Sequence, residues 1–287
     1  MRIFFETPWF IPAAIAAVSL LLCAGLAHRV RRLKRREHEL EALVTRQARE
    51  LREATLRDDL TGLRNRKFLQ EILQPETSLL VERKQYLAQH HEPRAAQPVD
   101  LLMGVFVIDI DHFKQINDTY GHAAGDQLLR QFGELLRQAM RKDDIVVRWG
   151  GEEFLVVLRH TVYEHIAQFA TEVRRRIENS SFNVSEDPDQ TVRRTCSIGY
   201  APFPFHCDEP ARISFDQAVM LADLGLYHAK RTGRNRTVGV MPTDTPPSPG
   251  DVAPMVASLE YGEGCDLVEV REEAAVTVDV PQIPTLV

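Results

Sequence analysis

The 287-residue sequence predicts an α/β (α+β) domain, with helices around a central mixed sheet, preceded by a transmembrane helix and a coiled-coil helix. Three observations predict this. Over 103–241, apolar runs of strand length alternate with longer stretches of helical spacing, in the order strand, helix, hairpin, helix, strand, helix, strand. The stretch from Trp9 to Ala27 carries no charge. A seven-residue apolar repeat follows it over 30–54.

Taken in chain order, residues 1–8 form a short extracytoplasmic N-terminus and 9–27 the membrane helix. At 1.5 Å per residue that helix spans about 28 Å, close to the hydrocarbon thickness of a bilayer. Trp9 and Phe10 suit one interface. Arg29, Arg31, Arg32, Lys34, Arg35 and Arg36 crowd the other and orient the rest of the chain to the cytoplasm. A cleaved signal peptide is the rival reading, but most of the cations follow the apolar run instead of preceding it. Residues 28–57 form the basic collar and coiled coil. Val30, Glu37, Val44 and Leu51 share one heptad position, and Leu33, Leu40, Gln47 and Ala54 the other. A parallel two-stranded coil fits this pattern; a single solvated charged helix is the alternative.

The globular domain is 58–240. Helices are expected at Arg66 to Leu73 and around Ser78 to Gln89, within a polar segment ending at Pro98. A buried strand is expected at Met103 to Ile108, with acids at its exit. A helix at Gly125 to Met140 precedes strands at Asp144 to Trp149 and Glu153 to Leu158, joined at Gly150-Gly151. Tyr163 to Glu178 reads as helix, Arg194 to Phe203 as strand, Phe215 to Arg231 as helix and Thr237 to Met241 as a last strand. Residues 241–287 hold nine acids and one base, with Pro242, Pro246, Pro247 and Pro249 at their start. They read as an acidic disordered tail with a short strand near Val268 to Val270.

Composition bounds the function. Lys and Arg total 35 against 41 Asp and Glu, a net charge of −6, which disfavours a nucleic-acid polymer as partner. Four scattered cysteines, with no CxxC pair, exclude a disulfide framework. The informative residues are acids. Asp109 and Asp111 end one strand, and Glu152 and Glu153 lie at the bend of the hairpin. If those strands are neighbours, hard carboxylate oxygens converge as Mg²⁺ requires. Gly150 and Gly151 would let a nucleotide approach the backbone. From the residues alone, a metal–nucleotide site and a set of strand-end caps with a plain turn both remain open.

Four motifs in order narrow this. Gly150-Gly151-Glu152-Glu153-Phe154 resembles the signature of the GGDEF family, the diguanylate cyclases. Asp58-Asp59-Leu60-Thr61-Gly62-Leu63-Arg64-Asn65-Arg66 is similar to that family's entry motif. Asp109-Ile110-Asp111-His112-Phe113-Lys114, with Ile116-Asn117-Asp118 and Gly121-His122, resembles its first strand and loop. Ala222-Asp223, Leu226-Tyr227, Ala229-Lys230 and Gly233-Arg234-Asn235 resemble its last helix. The resemblance covers roughly 58–240 and implies a fold like the palm of adenylyl cyclases and polymerases.

It further implies a metal site at Asp109, Glu152 and the Ile110 carbonyl for Mg²⁺, with Mn²⁺ as the alternative ion. Glu152 and Glu153 would be catalytic. Asn117 and Asp126 would read guanine, His122 would contact the nucleotide, and Lys114, Lys230 and Arg234 would hold the triphosphate. The implied reaction joins two GTP into cyclic di-GMP, releasing two pyrophosphates, in a homodimer at the bacterial inner membrane with its catalytic domain in the cytoplasm. Arg141 and Asp144 resemble the family's RxxD inhibitory site for cyclic di-GMP. Asp126 also fits a helix N-cap ahead of Gln127. The alternative to an enzyme is an inactive receptor module that binds cyclic di-GMP.

Overall fold

The structure, a computed structural model, describes residues 10–89, 102–185, 187, 190–206, 209–243 and 268–274. The expected N-terminus 1–8, the end of the polar segment at 90–98 with His90-His91, Cys207, and the tail except Val268–Ala274 lie outside the described residues. The chain divides into two units, Met1–Thr55 and Leu56–Val287.

The first unit holds one continuous helix, α1 (Phe10–Thr55). Ile15, Val18, Leu20, Leu21, Leu22 and Leu26 are exposed on it, as are the heptad residues Val30, Leu33, Leu40, Val44 and Leu51. Among the described residues no helix is long and apolar enough to cross a membrane, so the transmembrane helix expected over 9–27 is not borne out.

The second unit is built on a seven-stranded sheet. Its strands are β1 (Arg64–Asn65), β2 (Leu102–Ile110), β3 (Ile145–Gly150), β4 (Glu153–Thr161), β7 (Cys196–Phe203), β8 (Arg236–Pro242) and β9 (Val268–Ala274). They lie in the order β1-β3-β4-β2-β7-β8-β9. The pairs β1–β3 and β7–β8 are parallel and the rest antiparallel, which is the mixed sheet the sequence implies. A two-stranded ribbon, β5 (Ser181–Asn183) and β6 (Thr191–Arg193), stands apart; its three-residue strands are too short to show a period.

Every residue of β2 is buried, because helices cover both faces. Met103, Val105 and Val107 pack with α7 (Phe215–Arg231) and the Leu56–Leu73 region. Phe106, Ile108 and Ile110 pack with α4 (Phe113–Tyr120), α5 (His122–Ala139) and α6 (Tyr163–Glu178). Adjacent residues thus feed opposite cores, as the two-residue period of a strand demands. Helix α7 lies close on β7. A Cβ at Gly199 would stand 1.9 Å from the Ala222 carbonyl oxygen and 2.1 Å from the Leu226 nitrogen.

Between β1 and β2 the chain is helical from Arg66 to Gln89: α2 (Arg66–Phe68), a π-helical turn at Leu69–Leu73, then α3 (Gln74–Gln89). Pro75 has no N–H to donate to the carbonyl four residues back, which accounts for the widened turn. Helix α3 therefore begins earlier than the expected Ser78. Helix α4 escapes the periodicity because it is eight residues long and rich in weak helix formers. Helix α5 begins at His122, so Asp126 lies inside it and is not its N-cap.

Candidate active site

Sheet order brings the expected residues together. Asp109, the penultimate residue of β2, pairs with Glu153 of β4 on one side and Ser197 of β7 on the other. Glu152 sits at the adjoining β3–β4 bend. From the end of α7, Lys230 places its Nζ 2.7 Å from Asp109 Oδ2.

Asp109 is 4% exposed. Burial raises its pKa above the ordinary carboxylate value, against the opposing pull of Lys230. Burial, followed by the Asp109 charge, raises Glu152 and Glu153, again against Lys230. Asp223 adds a further negative charge beside Glu153, and Arg234 a positive one beside Asp109. Several acids thus face a single close ammonium. Such a surplus of hard oxygen donors fits a divalent cation. Among the described residues no three or more His, Cys, Asp or Glu side chains are arranged to hold a metal; the expected set has two carboxylates and a backbone carbonyl.

Asp111 does not join this cluster. It is 2% exposed and accepts from Ser197 Oγ and Thr195 Oγ1, both at 2.7 Å, and from the Asn235 backbone N–H at 3.0 Å. Asn235 also accepts from Arg174 Nη1 and donates to Glu178. Asp111 therefore ties the turn after α7 to the sheet. Arg234 and Asn235 hold positive φ of 63° and 45° there, a conformation that needs such support.

The other expected ligands follow β2 directly. Lys114 is exposed on the first turn of α4, and Asn117 is half-buried on the same helix. His122 and Asp126 are exposed at the start of α5. Gly125 leaves room for Asn117: a Cβ there would stand 2.0 Å from Asn117 Oδ1.

The sequence shows no spacing that reveals what holds the hairpin. Arg148 Nη1 lies 3.1 Å from both oxygens of Asp58, and its Nε and Nη2 donate to the Gly151 carbonyl at 3.2 and 3.0 Å. Asp58 also accepts from the Thr61 N–H and hydroxyl. Although burial opposes it, these partners pull the Asp58 pKa below its ordinary value. The entry motif thus fixes the bend at Gly151, whose φ is 53°. Trp149 lies against the core under the Arg66 guanidinium.

Arg141 and Asp144 lie elsewhere. They line a cavity of about 280 Å³ with Arg159, Thr161, His165, Gln168 and Glu172. Arg159 is six residues along β4 from Glu153, roughly 20 Å at strand rise. The Asp144 carboxylate accepts from the backbone N–H groups of Arg141 and Arg159 at 2.9 and 3.2 Å, so it shapes the turn.

Comparison with known proteins agrees with this architecture. The family profile described as diguanylate cyclase, GGDEF domain, matches residues 55–236. The chain is 35% identical over 179 residues to the diguanylate cyclase DosC of Escherichia coli, covering 62% of this chain and 34% of that protein. It is 34% identical over 203 residues to the response regulator PleD of Caulobacter vibrioides, covering 71% and 37%. The chain thus spans about a third of the length of these curated relatives. Among solved structures, the coiled coil and GGDEF domain of DgcB from Caulobacter crescentus, in complex with c-di-GMP, aligns with a TM-score of 0.56 at 25% identity. The alignment covers 72% of this chain and 97% of that one.

Proposed function

Since the chain belongs to the GGDEF, diguanylate cyclase, family, we propose that it condenses two GTP into cyclic di-GMP and two pyrophosphates. The observation that carries this is Asp109, held by Lys230 and paired across the sheet with Glu153 beside Glu152 at the β3–β4 bend. Asp109, Glu152 and the Ile110 carbonyl would hold Mg²⁺, or Mn²⁺. When bound, the ion would make a 3′-hydroxyl easier to deprotonate and offset phosphate charge.

The chain's own residues do the rest. Lys114, Lys230 and Arg234 hold the triphosphate and stabilise charge on the leaving pyrophosphate. Asn117 and Asp126 read the guanine edge; a carboxylate accepts from N1–H and the 2-amino group, a pair adenine lacks. His122 contacts the nucleotide. Glu152 would also help to remove the 3′-hydroxyl proton, and Glu153 would assist at the metal. Each 3′-oxygen bonds to the other nucleotide's α-phosphorus as the α–β anhydride breaks, so two sites must face each other. The exposed heptad residues of α1 would pair two copies and raise the effective concentration of the second site.

Two further parts belong to this reading. Exposed apolar residues at 15–26, the uncharged flanks and the basic collar favour single-pass anchoring in the bacterial inner membrane, with the catalytic domain in the cytoplasm. Carbonate extraction of membranes from expressing cells tests it, and release of the chain to the supernatant would end it. The Arg141 cavity favours feedback by cyclic di-GMP; Arg141→Ala should relieve inhibition as product accumulates, and equal inhibition of both forms would end that part.

The central test is incubation of the full chain with GTP and Mg²⁺, assayed for cyclic di-GMP, with Glu152→Ala as control. A folded dimer that makes no product would favour the receptor module over the enzyme.

A further inference from the structure

Strand β9 lies beyond the family-matched residues 55–236, yet it joins the sheet along the whole of β8, from Arg236↔Ala274 to Pro242↔Val268. Two acids on it reach back to the domain. Glu273 accepts from Thr171 of α6, and Glu272 pairs with Arg236 and accepts from Thr232 Oγ1. Both Thr232 and Arg236 flank the turn that carries Arg234.

Arg236 is the link. Its Nε donates to the Arg234 carbonyl at 3.1 Å, and its Nη2 would stand 2.7 Å from a Cβ at Gly233. The guanidinium therefore lies under the turn, with Glu272 holding it from the other side. Arg234 itself sits at a φ of 63°, which a non-glycine residue holds only when its surroundings enforce it.

We propose that β9 is a brace for the phosphate-binding turn and that Glu272, through Arg236, is a positioning residue for the triphosphate. This rests on the reading that Arg234 holds the GTP triphosphate. It gives the acidic tail a role in cis: its charge fixes a cation that would otherwise be mobile beside the substrate's phosphates. It also covers the β8 edge with a charged strand, which guards against pairing with another chain.

The test is steady-state kinetics of the full chain. Glu272→Gln is expected to raise KM for GTP roughly twofold to fivefold with kcat nearly unchanged. A loss of folded protein alone would lower apparent kcat and leave KM in place. Truncation after Thr243 should reproduce the KM effect. Unchanged KM in Glu272→Gln and in the truncation would overturn the brace. Arg234→Ala separates the two readings: if it leaves KM unchanged, the triphosphate assignment falls. If it raises KM while Glu272→Gln does not, only the brace falls.

Discussion

Asp111 offers a sharp test, because its sequence position suggests a metal ligand and its surroundings give it another task. The perturbation is Asp111→Ala, with Asp111→Asn beside it. In the native protein its two oxygens take three hydrogen bonds, from Ser197 Oγ, Thr195 Oγ1 and the Asn235 N–H. The residue is 2% exposed and Ser197 fully buried, so water cannot readily replace the carboxylate. The Asn235 N–H cannot turn away, whereas the two hydroxyls can reorient in part. One backbone donor and part of two hydroxyls left unpaired at about 1–3 kcal/mol each gives roughly 2–5 kcal/mol for Asp111→Ala. In a unit of this size that is about 5–20 °C in Tm. Asp111→Asn keeps one carbonyl oxygen and should lose about half as much. The assay pairs thermal unfolding with the Mg²⁺ dependence of cyclic di-GMP formation. A large loss of Tm with an unchanged Mg²⁺ midpoint is expected. A variant that melts with the wild type yet needs several-fold more Mg²⁺ would refute the structural role.

Three further outcomes follow from other contacts. Gly199→Ala puts a methyl group into the α7 backbone; overpacking of about 1–3 kcal/mol or more should lower Tm. Because α7 carries Lys230, it should also lower kcat/KM roughly tenfold, whereas unchanged kinetics would show that α7 tolerates the shift. Arg148→Lys should cut activity as strongly as Arg148→Ala, since only the forked guanidinium spans Asp58 and the Gly151 carbonyl; full rescue by lysine would contradict this. In chelator, the raised pKa values of Asp109, Glu152 and Glu153 mean that the folded state holds protons the unfolded chain releases. Their stabilising contribution is complete below the unfolded value of about 4 and is lost as pH rises through the folded values. The Tm of wild type relative to Glu152→Gln should therefore fall over that window and recover with Mg²⁺; a pH-independent difference would count against the cluster.

Much of the fold is legible because two signals are local. The continuous apolar run of β2 and the helical spacing of α5, α6 and α7 mark elements whose buried faces recur at fixed periods. The site residues stand out because acids and glycines at strand ends are costly to keep without a task. Elements that hold only one or two repeats of their period are not legible: α4 spans eight residues, β1 two, and β5 and β6 three each. Partners far apart in the chain, such as Asp58 with Arg148, leave no spacing to read. Strand β9 could be sensed near Val268, but its partner could not.

By itself, the sequence determined the longer elements and their order, the family, and which carboxylates and cations are candidates, since composition and period act over a few residues. Only the tertiary structure decided that Asp109 faces Glu153 and Lys230 while Asp111, two residues on, turns to Ser197 and Asn235. It alone seats the acidic tail's strand on β8. The physical reason is that hydrogen bonds and ion pairs between distant residues depend on which strands become neighbours. Strand order is settled by burying both faces of the sheet at once, not by any single segment.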